Sequence, residues 1–121
     1  MQAILALVND LFFLLKIRDT VTHVGYSMHV AGSVGEFFDK LARTCPSLII
    51  LDLTISGVEI PPLLRQLRED PHQRAIPVLA YTTHADWKRT APLHAECSRV
   101  VTKDTLSHQM PELIQQLIHQ D

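Results

Sequence analysis

"SLIILDLTISG", Ser47 to Gly57, runs four apolar residues, Leu48 to Leu51, straight into an acid, Asp52, and then a turn. An apolar run this short, bounded by turn residues, reads as a strand buried on both faces of a sheet. It is the most apolar segment of the chain, so it is expected at the sheet centre. A carboxylate at its tip adds nothing to a core. It fits a binding or reacting site better.

Working outward, the same strand grammar recurs. "AILALV" (Ala3–Val8) is a continuous apolar run closed by Asn9 and Asp10. "YSMHVA" (Tyr26–Ala31), "AIPVLAYT" (Ala75–Thr82) and "SRVVT" (Ser98–Thr102) complete five strands, with "LIILDL" the third. Amphipathic segments separate them. Asp10 is placed to cap a helix whose apolar residues Phe13, Ile17, Val21 and Val24 recur at helical spacing, with Gly25 as its stop. Ser33 and Glu36 form a capping box ahead of Phe37, Phe38, Leu41 and Ala42, and Pro46 closes the following loop. Pro61 and Pro62 suit the first turn of a helix carrying Leu63, Leu64 and Leu67. "HADWKRTAPLHA" is a weak helix interrupted by Pro92, and "MPELIQQLIHQ" is the last, with Leu113, Ile114, Leu117 and Ile118. Five buried strands alternating with five helices predict an α/β fold, a doubly wound five-stranded parallel sheet of order 2-1-3-4-5, flavodoxin-like.

Composition narrows the function classes. The 121 residues, 46% apolar and 20% charged, fit one globular domain, residues 1–121, with no room for an output domain. A net charge of -2 offers no basic surface for nucleic acid. The apolar N-terminus is broken by Asn9 and Asp10 well before the roughly 20 apolar residues a membrane span requires, and it lacks a basic leader. A cytoplasmic protein is therefore expected, with most of "LFFLL" (Leu11–Leu15) buried in the core. Cys45 and Cys97 have no metal or redox spacing and read as reduced, partly buried thiols. The seven histidines, at 23, 29, 72, 84, 94, 108 and 119, form no ligand pair and read as scattered surface residues. No glycine-rich phosphate loop follows the first strand, which argues against a flavin or nucleotide site.

In such sheets ligands bind beyond the carboxyl ends of the strands. The first strand ends in Asn9 and Asp10, the third in Asp52, the fourth in Thr82 and Thr83, and the fifth in Lys103. These groups would share one crevice. Asp52 could act as a nucleophile, since carboxylates form acyl phosphates. Asp10 and the backbone carbonyl of Thr54 could hold Mg²⁺, a hard cation that takes oxygen ligands. Thr82 could donate to a phosphoryl oxygen, and Lys103 could pair with it.

These residues in this order resemble the receiver domain of bacterial response regulators, the chemotaxis-regulator-like family. The resemblance rests on "LIILDL" with Asp52, "IPVLAYT" with Thr82, "RVVTK" with Lys103, and "LLRQLREDPHQRAIPV" between the third and fourth strands. It covers essentially the whole chain. It implies that Asp52 accepts a phosphoryl group from a histidine kinase or phosphotransfer protein. It also implies that Asp10, Asn9, Asp52 and Thr54 hold Mg²⁺, and that Thr82 and Lys103 contact the phosphoryl group. Output would pass to a downstream protein partner through the face around the fourth helix, fifth strand and fifth helix. Enzymatic activity would be at most autophosphorylation and dephosphorylation.

The sequence departs from that pattern at five places. Asn9-Asp10 replaces two acids, and either residue could face the metal, leaving Asp10 as a helix cap alone. Asp104 follows Lys103 where the family has a proline, so that peptide bond is expected trans, and Asp104 could pair with Lys103 or cap the last helix. Glu96 stands for a glycine before the fifth strand, Val100 for the aromatic switch residue, and Ser56 for a proline. Two functions follow: a phosphorylated stand-alone receiver, or a pseudo-receiver that binds a partner without phosphoryl chemistry.

Overall fold

The computed structural model describes residues 2–119. Among these, five strands alternate with five α-helices. The strands are β1 (Ala3–Leu7), β2 (Ser27–Ala31), β3 (Leu48–Asp52), β4 (Val78–Thr82) and β5 (Arg99–Thr102). The helices are α1 (Leu11–His23), α2 (Val34–Thr44), α3 (Ile60–Glu69), α4 (Trp87–His94) and α5 (Lys103–Ile118). Every strand pairing is parallel and the order is β2-β1-β3-β4-β5, as the alternation of elements predicts.

Burial explains why the strands read as they do. Every residue of β1, β3 and β4 is buried, because helices cover both faces, whereas the edge strands β2 and β5 are partly exposed. Side chains alternate between the faces. Ile4, Ala6, Leu48, Ile50, Leu79 and Tyr81 pack against α1 and α5. Leu5, Leu7, Ile49, Leu51, Val78 and Ala80 pack against α2 and α3, with Leu93 of α4 at the margin. Asp52 shares its parity with Leu48 and Ile50, so it belongs to the α1/α5 side.

Most helix ends follow their sequence signals. Asp10 Oδ1 accepts from the Phe13 amide at 3.1 Å, and Ser33 Oγ accepts from the Glu36 amide at 3.2 Å. Glu36 itself turns to Lys40, at 3.1 Å, instead of closing the capping box. Gly25 leaves α1 at φ 92°, a conformation that favours glycine.

Several boundaries differ from the sequence reading. β4 begins at Val78 and not Ala75, because residues Gln73–Ala75 form a 3-10 turn. Asp70 Oδ1 caps that turn, accepting from the amides of His72 and Gln73 at 2.8 and 3.0 Å. The other strands are each one residue shorter than expected. The last helix starts at Lys103, well before Met110. Pro111 lacks an N–H and its ring crowds the preceding turn, which bends the helix at Gln109 (φ -121°, ψ 19°). The sequence pattern alone places the helix start at that bend. Gln120, placed in the same helix, lies outside the described residues.

"LFFLL" is not mainly core. Phe13, Ile17 and Val21 take the inward stripe of α1, which turns Leu11, Phe12 and Leu15 outward at 73%, 88% and 58% exposure. Cys45 is exposed rather than partly buried, at the left-handed end of α2, while Cys97 is half-buried. Both thiols are free, and burial, then the charge of Glu96, pushes the Cys97 thiol up to about 11.

Candidate functional site

The register sets what meets at the carboxyl edge. Asp52 lies beside Tyr81, and Thr82 beside Thr102, the residue before Lys103. Asp52 is buried, at 7% exposure. Its Oδ1 accepts from the Thr54 amide at 2.8 Å and from the Thr54 hydroxyl at 2.7 Å. That is the local turn typical of aspartate.

Asp10 is shared between two helices. Oδ1 caps α1, and Oδ2 takes the ammonium of Lys103, the first residue of α5, at 2.6 Å. The cap also places the Phe13 ring, whose centroid lies 5.0 Å from the same ammonium. Phe13 also meets Tyr81 edge-on, centroids 5.0 Å apart. The Lys103 ammonium, and then the Phe13 amide, hold the Asp10 carboxyl below its usual range. Asn9 is exposed on the loop. Of the two acidic-pair candidates, Asp10 is thus the one turned toward the strand ends. A cavity of about 350 Å³ opens beside Lys103, lined by Phe13, Thr83, His84, Thr102, Asp104 and Ser107; Asp52 is not part of its wall.

Tyr81 escaped the sequence reading. It is 1% exposed and its hydroxyl makes no hydrogen bond. Burial, then the charges of Asp52 and Asp10, push its ionisation far up, so it stays a neutral phenol. A lone tyrosine in an apolar strand carries no local signal. Its significance depends on the register that sets it beside Asp52.

Thr82 turns the other way, toward α4. It is fully buried, 3.2 Å from the hydroxyl of Thr90, which is itself 1% exposed. The Thr90 oxygen also lies 3.0 Å from the Asp86 carbonyl and 3.0 Å from His94 Nε2. The Thr90 hydroxyl proton serves the Thr82 and Asp86 oxygens one at a time, while His94 Nε2 donates or accepts according to its tautomer. The His94 ring stands edge-on to Trp87 at 4.7 Å, and Trp87 is 38% exposed. The strand-end hydroxyl is therefore connected to a surface aromatic through α4. Val100, on β5 where the resemblance puts an aromatic, is only half-buried packing. His94 is accordingly not one of a set of idle surface histidines. Residues 87, 90 and 94 recur at helical spacing, which is the signal that would have found this cluster.

Asp104 neither pairs with Lys103 nor caps α5. Thr102 holds the cap, its hydroxyl accepting from the Thr105 amide at 3.2 Å. No peptide bond among the described residues is cis, in line with the trans bond expected at Lys103–Asp104.

The metal implied by the resemblance would draw on Asp10, Asn9, Asp52 and the Thr54 carbonyl. Both Asp10 oxygens and one Asp52 oxygen are already engaged. Among the described residues, no group of three or more His, Cys, Asp and Glu gathers to hold a metal ion. Mg²⁺ demands a near-octahedral oxygen set and sheds its water reluctantly. With the Lys103 ammonium on Asp10, Asp52 Oδ2 and the Thr54 carbonyl are the candidate oxygens left, so a divalent ion would have to displace that ammonium.

Comparison with solved structures places the fold. A chemotaxis response regulator of Vibrio cholerae aligns with TM-score 0.82 at 17% identity, over 97% of this chain and 98% of that one. The signal receiver domain of a DNA-binding response regulator from Colwellia psychrerythraea gives 0.85 at 19% identity, over 99% and 100%. The signal receiver domain of a signal transduction histidine kinase from Syntrophus aciditrophicus gives 0.83 at 22% identity, over 98% and 90%. The fold is that of response-regulator receiver domains. No family model matches the sequence, and no curated protein matches it. Among the described residues, no helix is long and apolar enough to cross a membrane.

Two substitutions test these contacts. Tyr81→Phe removes a buried hydroxyl with no partner and should stabilise the fold by about 1 kcal/mol in urea denaturation; a loss of stability would show that the hydroxyl is hydrogen-bonded. Thr90→Val leaves the Thr82 hydroxyl alone and should cost about 1–3 kcal/mol, with a change in the emission of Trp87, the sole tryptophan. Unchanged emission would disconnect Trp87 from the cluster.

Proposed function

We propose that the chain is a receiver-fold signalling module of two-component regulation that works by docking to protein partners and carries out no phosphoryl transfer of its own. The observation that carries this reading is the Lys103–Asp10 pair at 2.6 Å. Phosphoryl transfer to a carboxylate needs positive charge preorganised at the transferring oxygens. Here the ammonium is held by Asp10, the Thr82 hydroxyl faces α4, and a divalent metal would have to displace that ammonium. Asp52 serves its own turn.

Docking has a surface to use. Leu11, Phe12 and Leu15 stand exposed together at the start of α1, directly after Asp10. Contiguous large apolar side chains on a surface mark contact sites. Trp87 adds a second exposed aromatic on α4. The partners this reading implies are proteins: a histidine kinase or phosphotransfer protein on one side and a downstream protein on the other. The cytoplasm is where such partners meet. A net charge of -2 gives no support to nucleic-acid binding.

One observation favours the second reading, in which Asp52 accepts a phosphoryl group. Asp52 ends the central strand at the switch point of the sheet, and among the described residues no hydrogen bond reaches its Oδ2. In that reading the P–N bond of a phosphohistidine breaks as a P–O bond to Asp52 forms, and Lys103 leaves Asp10 to pair with the new phosphoryl group. Incubation with acetyl phosphate or beryllofluoride and MgCl₂, followed by intact-mass analysis and fluorine NMR, separates the two. The docking reading expects no adduct. An adduct that disappears in Asp52→Asn establishes the phosphorylated receiver instead.

A further inference from the structure

We propose that the ammonium of Lys103 is this chain's built-in cation, standing at Asp10 where the receiver resemblance calls for a divalent metal, so that the crevice is complete without one. This deepens the docking reading by stating how the site is balanced.

Asp52 sits beside Tyr81 in the sheet register, and the Tyr81 ring meets Phe13, whose amide donates to Asp10. Two carboxylates brought to the same end of the sheet each need a cation or strong donors to stay ionised. In this chain each acid is served internally. Asp52 receives the Thr54 amide and hydroxyl on one oxygen. Asp10 receives the Phe13 amide on one oxygen and the Lys103 ammonium on the other.

The ammonium is held from more than one side. Phe13 offers it a ring face at 5.0 Å. Lys103 opens α5 directly after its Thr102 cap, so its backbone is anchored at a helix start. An ammonium at the N-terminal end of a helix lies against the unfavourable end of the helix dipole. Asp10 offsets that, which gives the pair a reason to persist. The fixed ammonium also explains the single acid. With Asn9 in place of a second carboxylate, one negative charge faces one positive charge. A divalent ion arriving at Asp10 has to displace the lysine and find further ligands, and the exposed Asn9 amide supplies no charge.

The test is cation binding to the full chain, read by calorimetry with MgCl₂ and by electron paramagnetic resonance with MnCl₂. The wild type should show no saturable binding of either ion in the millimolar range. Lys103→Met keeps an unbranched side chain beside Phe13, removes the charge and leaves Asp10 without its ammonium. It should bind Mn²⁺ at least about tenfold more tightly, a change of about 1.4 kcal/mol. Lys103→Arg should behave as the wild type. Saturable millimolar Mg²⁺ binding by the wild type, lost in Asp10→Asn, would overturn the proposal, as would equal Mn²⁺ affinity in wild type and a folded Lys103→Met. The first of these needs no Lys103 variant to fold. Metal binding without an adduct at Asp52 sinks this proposal and leaves docking standing. An adduct without metal binding does the reverse.

Discussion

One carboxylate joins two helices across the mouth of the sheet. Asp10 has two oxygens, one committed to the amide of Phe13 that starts α1, the other to the ammonium of Lys103 that starts α5. The cap fixes where Phe13 goes. Phe13 in turn lies against both Lys103 and Tyr81. The group the sequence offers as a metal ligand is therefore a structural tie, and the chemistry left to the crevice follows from that commitment. A lysine can pair with Asp10 or with a phosphoryl group on Asp52, and the structure has it on Asp10.

The parallel sheet sets the stage for this arrangement. Strands buried on both faces must alternate their side chains between two helical layers. That alternation sends Asp52 and Tyr81 to the α1/α5 side and Thr82 to the α4 side. Neighbouring residues on β4 thus enter different networks. Tyr81 lies beside Asp52 and against Phe13, and Thr82 joins Trp87 through Thr90 and His94.

The sheet order was legible because β1, β3 and β4 are apolar throughout, and only a strand covered on both sides can be. The α1 and α2 caps were legible because Asp10 and Ser33 are short side chains whose oxygens reach the next turn. Asp104 misled the reading, since Thr102 two residues earlier fills the same cap of α5. Pro111 misled it too, because a proline bends a helix that continues as readily as it begins one. "LFFLL" looked like core because five apolar residues outnumber one inward stripe, and only helical phase shows that Leu11, Phe12 and Leu15 face out. The site was legible in part. Asp10, Asp52, Thr82 and Lys103 are named by their strand ends, but their pairing is a matter of rotamers and register. Tyr81, Thr90 and His94 matter through neighbours distant in sequence, which no local pattern records.

The central claim is that Lys103 is held by Asp10, and the carboxyl carbon of Asp10 reports this most directly. Its chemical shift, followed by ¹³C NMR from neutral to acid pH in the wild type and in Lys103→Met, gives the titration of that one group. The account predicts that wild-type Asp10 titrates below the ordinary aspartate value of about 3.9 and moves up toward it once the ammonium is removed. An Asp10 that titrates identically in both proteins would contradict the account, because the lysine would then not be its partner.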